Sequence, residues 1–109
     1  MLGLEDAQGA LEHFERAMAL TRENAERWNN IGAARFRLGL RDAAIMDYNR
    51  ALQLDPCSYN ARRNLVFALS QTGKKDEAVR AGEVPGHCRL LPAQAAELAE
   101  YRKTVGRRQ

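Results

Sequence analysis

Displacing the sequence by 34 positions lays it on itself, and that period limits the fold more than any other feature of the 109 residues. Ala10, Ala44 and Ala78 coincide, and so do Leu11, Ile45 and Val79. Phe14 falls on Tyr48, Arg16 on Arg50, Ala17 on Ala51, Met18 on Leu52 and Leu20 on Leu54. Asn30 falls on Asn64, Ile31 on Leu65, Ala34 on Ala68, Gly39 on Gly73 and Asp42 on Asp76. Small residues return on small ones and large apolar ones on large ones. A chain built this way repeats one supersecondary unit, and each unit must bury a face against the next.

The unit reads most clearly over residues 25–58. Trp28, Ile31, Ala34 and Leu38 recur at helical spacing and predict one apolar face. Gly39 follows, suited to the left-handed backbone that closes a helix. Asp42 is placed to cap a second helix, whose apolar face is Ala44, Ile45, Tyr48, Ala51 and Leu52. Gly32, Ala44 and Ala51 are small where two helices approach. Asp55-Pro56 ends the unit, because proline donates no backbone bond and restricts the residue before it. The expected product is an antiparallel helix pair, and pairs of this kind stack. Ala, Leu, Arg and Glu dominate the composition while Val, Ile and Thr are scarce, so a sheet has little material.

Residues Trp28, Ile31-Gly32, Ala44, Tyr48, Ala51 and Pro56, with the run Leu52-Gln53-Leu54-Asp55-Pro56, make this unit resemble the tetratricopeptide repeat. The family usually carries an aromatic where Arg35 stands, and Phe36 is beside it. The resemblance implies an all-α fold, a right-handed superhelical stack of antiparallel helix pairs. About two and a half repeats and a C-terminal capping helix are expected in one domain over 1–109. Residues 5–20 match the second helix of a first repeat, 25–58 a complete repeat and 59–83 a degenerate one. Gly82 stands there where a large aromatic is expected, and Val84-Pro85-Gly86-His87 stops the helix. Residues 92–105 resume a helical pattern with Pro92 in a first-turn position and Ala95, Leu98, Ala99 and the stem of Tyr101 or Arg102 facing inward, a helix covering the end of the stack or else a mobile tail. Starting at Met1, helix 5–20 lacks the helix that would precede it. The apolar Leu11, Phe14 and Met18 would then be covered by a second copy or by the rest of a longer parent chain.

In this family ligands bind along the first helices of successive pairs, at positions pointing away from the packing seams. Carried onto this chain, those positions are Glu26, Asn29, Asn30, Ala33, Phe36 and Arg37, then Asn60, Arg63, Phe67, Ser70 and Gln71. Phe36 and Phe67 lie off the apolar stripes, and aromatics beside arginines are typical of binding hot spots. The competing reading wraps each phenylalanine onto a neighbouring helix as core. A subclass of the family grips chaperone C-termini with lysines, arginines and asparagines. Only Asn30 matches that set, since Asn60 and Asn64 occupy positions that would have to be basic. An acidic or carboxylate-bearing peptide fits Arg37 and Arg63.

Catalytic constellations fail. His87-Cys88 is the one suggestive pair, and neighbours in an extended loop point apart with no third group evident. No Cys-x-x-Cys, His-Glu-x-x-His or Gly-rich phosphate loop occurs. The expectation is therefore no enzyme, no cofactor and no metal. His13 reads as a surface residue, and pairs such as Glu12–Arg16 and Glu23–Arg27 as solvated helix faces. The two cysteines, Cys57 and Cys88, read as reduced thiols in a cytoplasmic protein. No apolar stretch approaches a membrane span and no secretory signal is visible. The formal charge of +3 is uneven: residues 1–58 carry 7 basic and 9 acidic residues, residues 59–109 carry 10 and 5. The basic run from Arg102 to Arg108 lacks the stacking aromatics of a nucleic-acid surface, so nucleic acid is not the expected partner. The leading expectation is a protein-interaction adaptor, a solenoid that holds a peptide or partner protein in its concave groove. Two other readings stay open: a regulatory or substrate-recruiting fragment of a larger enzyme, and an RNA-associated accessory protein.

Overall fold

The computed structural model describes residue 22 and residues 24–107, and the fold is all-α. Helix α1 occupies residues 24–37, followed by α2 (Arg41–Leu54), α3 (Tyr59–Gln71), α4 (Lys75–Ala81) and α5 (Pro92–Arg107). No strand occurs among the described residues. The expected helix 5–20, with Phe14, His13 and the Glu12–Arg16 pair, lies outside the described residues, as do Glu23 and Arg108.

The repeat is visible in its turns. Gly39 and Gly73 both have left-handed backbone, with φ of 84° and 78°. After each glycine an amide reaches back five residues, Leu40 N–H to the Arg35 carbonyl and Lys74 N–H to the Leu69 carbonyl, both at 2.9 Å. The same glycine-closed helix end thus recurs 34 residues on. Leu38 is drawn into this turn and is 75% exposed, and Ala34 is exposed as well, so of the stripe read into α1 only Trp28 and Ile31 are partly covered. Asp42 does not cap α2. Leu40 stands at the cap position without a side-chain bond, and Asp42 sits in the first turn, where its charge faces the positive helix end. Asp55 closes α2, its carboxylate accepting from the Cys57 amide, and the Ser58 hydroxyl accepts from Ala61 N–H to start α3.

The core is made of the predicted small and large positions. Ala44, Ile45 and Tyr48 of α2 pack with Leu65, Val66, Ala68 and Leu69 of α3, Ala78 of α4 and Val105 of α5. Gly32 permits the tightest approach. A Cβ there would lie 2.7 Å from Cε1 and 2.9 Å from Cδ1 of the buried Tyr48 ring. Arg35, in the aromatic position, turns to α2 and donates from Nη1 to both carboxylate oxygens of buried Asp47, at 2.9 and 3.1 Å.

The second pair is built differently. Arg62 stands 34 residues after Trp28 and is buried. Its guanidinium donates to the carbonyls of Pro56, Ala81 and Glu83 at 2.7–2.9 Å. Gly82 stands 34 residues after Tyr48, and the Arg102 stem from α5 fills the vacated space, its Cγ and Cδ 2.5 Å from where a Cβ would project. Arg102 Nε also donates to the Val79 carbonyl at 2.9 Å. On α5, Leu98 and Val105 are buried, whereas Ala95 and Ala99, read as inward-facing, are exposed.

The cysteines are not free thiols. Cys57, in the α2–α3 turn, is bonded to Cys88 in the segment joining α4 to α5, with the two Cα atoms 5.3 Å apart. The sequence gives no hint of this, because separate turns meet only once the pairs have stacked. The bond closes a loop across a separation of 31 residues, for which loss of chain entropy in the unfolded state predicts about 3–4 kcal/mol of stabilisation. A thiol reductant is therefore expected to lower the melting temperature by roughly 10–20 °C, and Cys57→Ser should abolish that response in a thermal scan. Gly32→Ala should cost about 1–3 kcal/mol by overpacking the Tyr48 ring, read as a lower urea midpoint at unchanged slope.

Candidate functional site

The first helices of successive pairs, α1 and α3, run side by side with α5, and their exposed faces form one surface. Its centre is an aromatic series. The Phe36 and Phe67 ring centroids are 5.5 Å apart, and Phe67 and Tyr101 are 6.4 Å apart with planes inclined at 62°. Tilted and edge-on contacts suit the ring quadrupoles. Phe67 is 41% exposed and Phe36 half-buried, so Phe67 offers its ring to solvent while Phe36 also packs against the core. The Arg41 guanidinium lies over the other flank of Phe36, 5.9 Å from its centroid.

These rings border a cavity of about 330 Å³ whose wall includes Ala33, Phe36 and Arg37 of α1, Arg63 and Phe67 of α3, and Glu97 and Tyr101 of α5. Tyr48 also lines it. A second cavity of about 530 Å³ adjoins the α3 N-terminus and is polar, lined by Glu26, Asn29, Asn30, Asn60, Tyr59 and Gln94 among others. Asn64 Nδ2 donates to Asn29 Oδ1 at 2.9 Å, tying a residue of the aromatic cavity to one of the polar cavity. The expected binding positions thus divide. Glu26, Asn29, Asn30 and Asn60 gather in the polar cavity; Ala33, Phe36, Arg37, Arg63 and Phe67 gather in the aromatic one. Ser70 and Gln71 line neither, and the Ser70 hydroxyl donates within its own helix to the Phe67 carbonyl.

Sequence reasoning missed Tyr48, Asn64, Glu97 and Tyr101. The signal existed, because the 34-residue displacement puts Glu97 on Arg63 and Tyr101 on Phe67. Reading 92–105 as a cover for the stack obscured it. Arg62, the neighbour of Arg63, points into the stack and not toward this surface.

Arg63 Nη1 lies 3.5 Å from Glu97 Oε1, and the Tyr59 hydroxyl donates to Glu97 Oε2. Both members of the ion pair are about half exposed, and such pairs contribute only about 0–1 kcal/mol. The Tyr59 hydroxyl is held above its ordinary value of 10.0 by desolvation and then by Glu97. Tyr48 is raised likewise, first by burial and then by Asp47, against a lowering by Arg37.

For a phenol whose folded-state value exceeds the unfolded one, the stabilisation is complete below the unfolded value and is lost as pH rises past it. Stability is thus expected to hold level up to about pH 10 and to fall above it. Tyr48→Phe should flatten part of that alkaline fall, measured as melting temperature against pH for the two chains in parallel.

Comparison with known proteins agrees with this architecture. Residues 25–56 match the tetratricopeptide repeat family. The peroxisomal targeting signal receptors of Eremothecium gossypii and Saccharomyces cerevisiae are each 32% identical to this chain over 74 residues, 68% of its length. That alignment covers 13% and 12% of the two receptors, so the chain spans about an eighth of the length of these relatives.

Proposed function

The chain carries a tetratricopeptide repeat, and on that premise we propose that it binds a peptide segment of a partner protein along the surface shared by α1, α3 and α5. A general role in protein interaction follows from the repeat and from relatives that are receptors by name. The observation that carries the finer reading is the exposed Phe67 ring, set between the half-buried Phe36 and Tyr101 and flanked by Arg37 and Arg63. Solvent-facing rings give large contact area at low entropic cost, and arginines beside them add charge-assisted bonds to carboxylates. An acidic peptide suits this surface, since its carboxylate would take over the Tyr59 and Arg63 contacts now made by Glu97. Among the described residues no helix is long and apolar enough to cross a membrane. The expectation of a homodimer rests on residues 5–20, which lie outside the described residues.

Partners captured from an extract of the source cells by the full chain should be lost with the double variant Arg63→Ala, Phe67→Ala. For a partner so identified, calorimetry should give a Kd weakened about tenfold or more. Unchanged affinity of the double variant, with helicity intact, would place the binding surface elsewhere.

A further inference from the structure

The two turns joined by the disulfide bring a third donor to the same place. His87 immediately precedes Cys88, and the donor atoms of Cys57, His87 and Cys88 all lie within 4.8 Å of one another. We propose that, with the disulfide reduced, Cys57, Cys88 and His87 hold one thiophilic divalent cation of the zinc class.

The geometry is close to what such an ion needs. Tetrahedral coordination at ordinary zinc–sulfur and zinc–nitrogen lengths separates sulfur from nitrogen by about 3.6 Å and sulfur from sulfur by about 3.8 Å. His87 Nε2 already lies 3.9 Å from Cys88 Sγ. The sulfurs must part, and they do so once the bond between them is broken, because thiols repel to van der Waals contact. The Cα atoms are 5.3 Å apart in the bonded form, so opening the sulfurs by about 2 Å asks for side-chain rotation with a small shift of the turns. Arg62 fixes those turns independently, holding the Pro56 carbonyl on one side and the Ala81 and Glu83 carbonyls on the other. The cysteines are half-buried and His87 is exposed, so the fourth position opens to water. Two thiolates and an imidazole select a borderline or soft ion and discriminate against calcium and magnesium, which require oxygen ligands.

The disulfide and the ion exclude each other, because both use the sulfur electron pairs. A phosphine supplies two electrons to the sulfur–sulfur bond, one water gives a proton to each sulfur and its oxygen to the phosphine, and the phosphine leaves as its oxide. A dithiol does the same by handing over its own two thiol protons with the two electrons and leaves as its cyclic disulfide. Cation binding then displaces both thiol protons to solvent and forms two sulfur–metal bonds. In this arrangement the connection between α4 and α5 stays fastened to the α2–α3 turn in either redox state, by a covalent bond in one and an ion in the other.

The test uses the full chain reduced with a phosphine, which is then removed, and titrated with Co²⁺ as the probe. One equivalent should bind, with thiolate-to-cobalt absorption in the near ultraviolet, and added Zn²⁺ should displace it. The oxidised chain should show no such band. His87→Ala, in an exposed turn that leaves the helices untouched, should weaken binding by about tenfold or more. Zn²⁺ should also restore part of the melting temperature that the reduced chain loses. Absence of the thiolate–cobalt band in the reduced wild-type chain would overturn the proposal, as would a His87→Ala chain that binds as tightly as wild type. A stoichiometry of two chains per ion would overturn it too, since it would make the site intermolecular. Each of these outcomes is read on wild type or on His87→Ala, so none depends on a cysteine variant that fails to fold.

Discussion

Three backbone carbonyls from different stretches of the chain converge on one buried guanidinium. Among the described residues, Arg62 donates to backbone carbonyls alone. It binds the end of the α2–α3 turn through Pro56 and the end of α4 through Ala81 and Glu83. Burial lowers its proton affinity below the ordinary guanidinium range, yet a guanidinium stays charged at any physiological pH. Removing it would strand three acceptors in a half-dry seam, where each orphaned carbonyl costs about 1–3 kcal/mol. The irregular segment between α4 and α5 has no helix of its own to hold it, so its course is set by this cation and by the Cys57–Cys88 bond. The direction of α5 follows from that course, and with it the position of Glu97 and Tyr101.

Two successive helix pairs thus meet one packing problem with two chemistries. In the first, the aromatic Tyr48 closes on Gly32, and Arg35 neutralises Asp47 beside it. In the second, the large ring is gone at Gly82, and Arg102 brings an aliphatic stem into the space and a donor to the Val79 carbonyl. Arg62 and Arg102 each combine apolar packing along the stem with backbone recognition at the head, as long cationic side chains do. The exchange explains why the repeat pattern fades after Ala78 while the fold does not. The apolar signature is lost, but the backbone groups exposed by a short α4 gain specific partners.

The helix pairs themselves were legible because their determinants are local. Glycine at 39 and 73, the Asp55-Pro56 stop and the alanines at 44 and 78 act within a turn or against the adjacent helix, and the 34-residue displacement exposes them. The stripe through Trp28 and Ile31 does not continue to Ala34 and Leu38, both exposed, since periodicity does not mark where a glycine turn swings the chain out. Asp42 suits a cap by residue type, whereas cap position depends on where the preceding turn releases the backbone. Half the candidate surface, from Asn29 to Phe67, is placed by the resemblance to the repeat family. Glu97 and Tyr101 could not be joined to it without recognising α5 as a further first helix. The pairing of Cys57 with Cys88 was out of reach, because it depends on the path of a segment that follows no pattern.

The aromatic series has a further property. Phe36, Phe67 and Tyr101 present nearly equal steps of 5.5 and 6.4 Å, one ring from each of three helices. A ladder of similar rungs could not by itself tell the proposed guest which rung to start on, since a shift by one step would meet much the same contacts. For such a guest, register would have to come from features that occur once, the Asn29–Asn64 bond and the Arg63–Glu97 pair. On the proposed reading the rings would supply grip and these unrepeated polar marks the reading frame.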